Sequence, residues 1–291
     1  MKVLNITGDK RFGPGNERYE LQKSAVQELI VMYWGRGGFF PRLPRGPFDV
    51  VTVQDPFLRG LFAWHVAKQL SARFSVQIHA DISAQSFAKR LVAGFVLRRA
   101  DSIRVVSEKI KQQVLKVVPH ANVTVLPVFI DVSKFTSIVH QPHTQKNILW
   151  IGRFEEEKNP MAAIDIAAQI PEAKLTMLGA GGMEQRLKDR AGSNVEFAAW
   201  QDPTSFLARA DVVLCTSWHE SFGASIIEAL AAGVPVVAPD VGVAKEAGAI
   251  VVPRTELAAA VVTVLKEGTR GHLALHMLTV EGWKQAWLQT L

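Results

Sequence analysis

The 291-residue chain holds a single cysteine, Cys215. One cysteine excludes an internal disulfide and any cysteine-built metal cluster. Its flank Val212-Val213-Leu214 places it at the end of a buried strand, where an inert core thiol is expected. No apolar run reaches the length of a membrane span. The N-terminus, Met1-Lys2-Val3-Leu4-Asn5-Ile6-Thr7, turns polar too soon for a signal peptide. A reducing cytoplasm is therefore the expected location. A nicotinamide-type phosphate loop is also missing: Gly8…Gly13-Pro14-Gly15 follows the first strand, off the Gly-x-Gly-x-x-Gly spacing and with a proline inside the turn. His140 and His143 flank Pro142 with no acidic or cysteine partner nearby, so they read as solvated linker residues rather than a metal pair.

What is present is ordinary for a soluble globular protein, 48% hydrophobic and 21% charged, with length for two domains. The net charge of +6 is unevenly spread. Residues 1–140 carry 20 Lys/Arg against 10 Asp/Glu, and residues 141–291 carry 13 against 17. A basic first half suits an anionic acceptor or membrane surface, and equally plain solubility. The loop Gly35–Pro47 sets Phe39 and Phe40 among Arg36, Arg42 and Arg45, fitting either a membrane surface or phenylalanines tucked beneath a proline-pinned turn.

Strand and helix patterns alternate along both halves, which predicts two parallel sheets covered on both faces. The expected division is a first domain over 1–130, a linker over 131–146, a second domain over 147–275 and an amphipathic terminal helix over 276–291. His79 follows the strand predicted over 75–78. Ligands of open α/β sheets bind beyond such C-terminal strand ends.

The most informative run is Ser217 to Val237. Gly223 opens a turn, Ala224 to Ala232 has helix-forming composition, Gly233 offers a left-handed stop, and Pro235 prevents continuation before a Val-Val strand. Glu220 precedes the helix start, where unpaired N–H groups favour anions. A phosphate could dock on the amides of Gly223, Ala224 and Ser225, with the Ser225 hydroxyl beside them. Glu228 lies one turn further in. Carboxylates accept hydrogen bonds from sugar hydroxyls, so two of them around an anion site suit a sugar nucleotide. Upstream, Arg153 and Lys158 leave a strand end and a helix entrance together and could converge on one anion, or simply pair with Glu155 to Glu157.

Glu-x7-Glu within Glu-Ser-Phe-Gly-x-Ser-Ile-Ile-Glu-Ala-Leu-Ala-Ala-Gly-Val-Pro-Val-Val resembles the donor-site signature of glycosyltransferase family 4. Gly-Arg-Phe-x-x-x-Lys-Asn, from Gly152, resembles that family's diphosphate-binding segment. The resemblance implies an α/β GT-B fold, two Rossmann-like domains whose parallel sheets face a central cleft. It implies retaining transfer of a sugar from a nucleotide-diphosphate donor to a glycan or lipid-linked acceptor, with no metal or other cofactor required. Asp-x-Asp, the metal-holding motif of the other large glycosyltransferase fold, is absent from the chain. By the same resemblance Arg153 and Lys158 stabilise the departing diphosphate, and Glu220 holds donor sugar hydroxyls. Glu228 holds the ribose, and His79 orients the sugar from the other domain. Phe222, Gly223, Ala224 and Ser225 border the donor, backbone at Ala199 meets the base, and the Gly13–Gly15 loop faces the cleft. The implied partners are the donor, the acceptor and, peripherally, an anionic inner membrane face; no nucleic acid is implied. Alternatives in the same architecture are a catalytically silent nucleotide-sugar-binding protein and a nucleotide-sugar epimerase. A glycan phosphorylase would need a pyridoxal-binding lysine that nothing marks.

Overall fold

The computed structural model describes residues 1–35, 43, 44, 46–79, 81–83 and 85–291. Arg36, Phe39, Phe40, Arg42 and Arg45 lie outside the described residues. The chain divides into two compact units, Met1–Phe129 with Leu278–Leu291, and Ile130–Met277. The first contains β1 (Lys2–Thr7), α1 (Glu17–Ala25), β2 (Glu28–Tyr33), β3 (Val50–Val53), α2 (Leu58–Leu70), β4 (Arg73–Ile78), α3 (Phe87–Leu97), β5 (Ser102–Val105), α4 (Glu108–Val117) and β6 (Val123–Val125). The second contains α5 (Ser133–Thr136), β7 (Lys146–Ile151), α6 (Pro160–Ala167), β8 (Ala173–Leu178), α7 (Glu184–Arg190), β9 (Val195–Ala198), α8 (Thr204–Leu207), β10 (Val212–Leu214), α9 (Ala224–Ala231), β11 (Val236–Ala238), α10 (Ala244–Ala247), β12 (Ile250–Val251) and α11 (Leu257–Glu267). The final helix, α12 (Val280–Leu288), returns to the first unit.

The first sheet runs β2-β1-β3-β4-β5-β6 and the second β12-β11-β10-β7-β8-β9, every pair parallel. The second order is that of a dinucleotide-binding doubly wound sheet, with its switch point between β7 and β10. In the first sheet the order reverses between β1 and β3. Parallel strands buried on both faces are normally apolar throughout. The first sheet departs from this: Asn5, Thr52, Ser75 and Ser102 stand in register on neighbouring strands and all are buried. The hydroxyls of Ser75 and Ser102 donate to Thr290 O at 3.1 and 2.7 Å, just past α12. Trp283 Nε1 donates to Pro127 O at 2.8 Å, and Trp283 and Trp287 are buried in a core with Val3, Tyr19 and Val50. Two buried indoles and two buried hydroxyl bonds fix the terminal helix to the first unit.

The stretch 131–146 is not a free connector. It divides with the second unit, α5 packs on α9, and Gln141 N donates to Ala208 O at 2.9 Å. His140 is structural, its Nε2 2.7 Å from Ala232 O at the end of α9, while His143 is exposed, with Nδ1 2.8 Å from Gln145 O and, against the expectation of no acidic neighbour, Nε2 3.9 Å from Asp211 Oδ1. Helix α3 begins only at Phe87. Asp81 Oδ1 accepts from both Ser83 N and Ser83 Oγ, at 2.8 and 2.6 Å, so a side-chain turn takes the place of the first helical turn.

Candidate functional site

The site is built at the switch point of the second sheet, from the loops that leave β7 and β10. After β7, Phe154 is buried and braces its loop against the turn after β8. Its amide donates to Ala180 O at 2.9 Å, and its carbonyl accepts from Met183 N at 3.0 Å. The two turns approach so closely that a Cβ on Gly179 would stand 1.9 Å from Gly152 O, and one on Gly181 2.6 Å from Phe154 O. The glycine run after β8 is thus required by neighbouring backbone. Asn159 then takes a left-handed φ of 48°, and Pro160 opens α6.

This geometry sends Lys158 to Glu220, Nζ to Oε1 at 2.5 Å, with both side chains largely enclosed. Arg153 instead pairs with Glu157 and is exposed. The expected convergence of two cations is half formed: Lys158 reaches Glu220, while Arg153 takes the local partner four residues on. The loop carrying Glu220 is held throughout. Thr216 Oγ1 accepts from Trp150 Nε1 at 2.9 Å and donates to the carbonyls of Lys158 and Asn159. Ser217 Oγ donates to Glu220 Oε1 at 2.8 Å, and Trp218 N donates to Glu157 O at 2.9 Å. Arg254 donates to Ser217 O at 2.7 Å and Trp218 O at 3.0 Å, and lies 4.8 Å from the Trp218 ring centroid. A loop backbone fixed this way needs little rearrangement when a ligand arrives.

Gly223 takes φ 100° and starts α9, where the amides of Ala224 and Ser225 find no acceptor among the described residues. The ring of Phe222 is buried and its carbonyl accepts from Val243 N at 2.9 Å, so it anchors the loop from beneath. At the other end Gly233, φ 76°, closes α9 with Gly233 N donating to Leu230 O and Val234 N to Ala229 O, the left-handed stop expected there. The carboxylate of half-buried Glu228 makes no hydrogen bond or ion pair among the described residues. Burial pushes its carboxyl above the usual range, Lys134 opposes the shift, and Asp202 adds to it. Ala199 is exposed just beyond β9, beside the exposed Trp200. Cys215 is free and buried, and burial raises its thiol.

In the first unit, His79 lies just past the end of β4 and makes no hydrogen bond among the described residues. Although the residue is only half-buried, the protein packed around the ring lowers its pKa to about 3, with Arg104 and Arg18 repelling the charged form. The imidazole is neutral at physiological pH. Gly13 is buried, and a Cβ there would meet Tyr33 Oη at 2.7 Å; Gly15 is exposed with φ 84°. Their glycines are explained by packing and by a turn.

Sequence reasoning missed Ser217, Lys134 and Arg254. Ser217 could have been found three residues before Glu220; Lys134 is brought near Glu228 only by the packing of α5. Among the described residues no group of three His, Cys, Asp or Glu could hold a metal. A cavity of about 340 Å³ bordered by His140, His143, Lys146 and Arg270 sits at the opposite, N-terminal edge of the second sheet and contains none of the expected donor residues.

Residues 145–267 match the family described as glycosyl transferases group 1, and residues 22–128 match the glycosyl transferase 4-like domain. The chain belongs to the group 1 glycosyltransferases. The glycogen synthase of Mycobacterium tuberculosis is 29% identical over 221 residues, covering 68% of this chain and 51% of that protein. The lipopolysaccharide core biosynthesis glycosyltransferase LpsE of Rhizobium meliloti is 38% identical over 96 residues, 31% of this chain and 28% of the relative. The chain thus spans about half the length of the first relative and less of the second. Among solved structures, Anabaena HepE in complex with UDP and glucose superposes with a TM-score of 0.74 at 15% identity, covering 100% of this chain and 99% of that one. Two Rossmann-like units with parallel sheets are the GT-B fold.

Proposed function

We propose that this group 1 glycosyltransferase moves a sugar from a nucleotide-diphosphate donor to a glycan or lipid-linked acceptor, with retention and without a metal. The observation that carries the reading is the unpartnered, half-buried Glu228 carboxylate one turn from the open amides of Ala224 and Ser225, on the helix that follows the loop of the Lys158–Glu220 pair. An isolated carboxylate held away from water is costly unless a ligand supplies donors. Ribose hydroxyls are such donors, and the α9 N-terminus takes the diphosphate. The arriving diphosphate competes with Glu220 for Lys158. Once Lys158 turns to phosphate oxygens, Glu220, still held by Ser217, is released to accept from sugar hydroxyls. Negative charge then grows on the leaving diphosphate, and Lys158, Arg153 and the helix start stabilise it, an effect worth about 10²–10³ in rate per donor. No carboxylate is placed as a nucleophile in this scheme, so the leaving phosphate takes the acceptor proton on the attacked face. Neutral His79 can accept from or donate to a sugar hydroxyl. The relative named for lipopolysaccharide core biosynthesis supports a glycan or lipid-linked acceptor.

The test supplies UDP-, GDP- and ADP-sugars with chelator present and follows nucleotide release and product stereochemistry by NMR. Acceptor-dependent release with the donor's anomeric configuration kept is the expected result. Release of an epimerised free sugar without acceptor would move the reading to an epimerase, and release that requires added metal would overturn metal independence.

A further inference from the structure

The cavity of about 340 Å³ at the N-terminal edge of the second sheet gathers cations that the protein leaves unused. Lys146 opens β7 and Arg270 follows α11, so the fold brings them to one cavity from distant segments. Among the described residues neither side chain makes a hydrogen bond or ion pair, and the hydroxyl of neighbouring Thr269 is likewise unpartnered. Asp211 is the one acid among the described lining residues, and it is engaged elsewhere. Its Oδ2 accepts from Asn147 N at 2.8 Å, and its Oδ1 lies 3.9 Å from His143 Nε2. Helices α9 and α11 also end here, and C-terminal helix ends repel anions. Their last carbonyls are taken up, however. Ala232 O meets His140 Nε2 at 2.7 Å, Gly233 O accepts from Gly271 N at 2.9 Å, and Val264 O accepts from Gly268 N at 3.0 Å. The repulsion is muted while Lys146 and Arg270 stay free.

We propose that this cavity binds a phosphate monoester of a small polyhydroxylated molecule, with Arg270 and Lys146 on the phosphate oxygens. An arginine fork grips phosphate bidentately and a lysine adds a mobile point charge. Two full cations suit a phosphate monoester, which carries roughly −1.5 to −2 at neutral pH, better than a singly charged carboxylate. The volume exceeds what phosphate alone fills and lies at the lower end of small-ligand pockets, roughly 300–1,000 Å³. Gln141, Thr269 and Asp211 on the wall offer groups for the hydroxyls of the remaining body. The site is separate from the proposed donor site. The donor amides lie at the start of α9 and the cavity beyond its end, eight residues or about 12 Å of helix apart. His140 and Gly233 belong both to the cavity wall and to the cap of α9, so a ligand here bears on the helix that carries Glu228. That link to the donor rests on the proposed function; the binding itself does not.

Calorimetric titration of the purified chain at low salt tests it, with ribose 5-phosphate as the ester and with inorganic phosphate and ribose beside it. The ester should bind, inorganic phosphate should bind more weakly, and ribose should not bind. Lys146→Ala with Arg270→Ala should weaken the ester by roughly tenfold or more, the loss of about one charge-assisted hydrogen bond. Arg270→Glu alone, at an exposed position, should do the same should the double variant fail to fold. Lys158→Ala, which disables the proposed donor phosphate site, should leave ester binding unchanged. Inorganic phosphate binding as tightly as the ester would overturn the ester assignment. Binding of ribose alone, loss of the ester with Lys158→Ala instead of the cavity variants, or no binding of either phosphate compound at millimolar concentration would each overturn the site. UDP, GDP and ADP titrated with and without the ester read the link through α9, since coupling is reciprocal; unchanged nucleotide affinity would refute that link. The binding arms use no nucleotide, so their failure is separate from failure of the transfer chemistry.

Discussion

Glu228 and His79 are both held uncharged-leaning by their surroundings, with opposite consequences for pH. Glu228 has its pKa raised from 4.5, so the folded chain binds its proton more tightly than the unfolded chain. Stability attached to it is greatest below 4.5 and falls as pH rises through the raised value. Glu228→Gln should therefore raise the melting temperature of the unliganded protein at neutral pH, the trade often found where a site keeps a strained group for its ligand. A melting temperature unchanged or lowered would mean that the carboxylate is not held at a cost. His79 runs the other way. Its pKa drops from 6.5 to about 3, so between those values the unfolded chain binds the extra proton and stability declines as pH falls. His79→Gln should flatten that decline in a melting series from pH 6.5 to 4. The two residues were legible in the sequence for different reasons, Glu228 from its spacing to Glu220 and His79 from its strand end. Their surroundings were not legible, because Lys134, Asp202, Arg104 and Arg18 arrive from distant segments.

Among elements, the alternation of strands and helices was readable, and the end of β4 at Ile78 was readable to the residue, although the strand starts earlier, at Arg73. Helix ends were less readable where a side chain replaced a backbone bond, as at Asp81, and α5 and α10 were too short to carry a period. The turn after β8 teaches a finer point. A glycine turn lets either a ligand or neighbouring backbone come close, and here the space beside Gly179 and Gly181 is filled by the backbone of Gly152 and Phe154. Gly179→Ala should consequently cost about 1–3 kcal/mol or more in a urea titration, as overpacking does. Gly15→Ala has nothing within 4 Å and should cost only about 1–2 kcal/mol for its left-handed backbone. A Gly179→Ala protein as stable as the original would refute the packing account.

At the scale of the molecule, α12 makes the first unit discontinuous in sequence, so its last residues are structural parts of its core. Trp287→Ala should lower stability by about 3–5 kcal/mol, read by calorimetry as loss of the first unit's transition while the second unit's nucleotide response survives. The second unit carries the claim that matters most, that its switch point is a nucleotide-sugar site closed by Glu228. A thermal-shift panel of UDP, GDP and ADP on the chain and on Glu228→Gln tests this directly. One nucleotide should stabilise the unaltered protein, by about 2.7 kcal/mol at a hundredfold excess over its dissociation constant. The variant should lose most of that shift, a charged hydrogen bond being worth about 1.5–3 kcal/mol. Silence from all three nucleotides, or a shift that survives the substitution undiminished, would contradict the account.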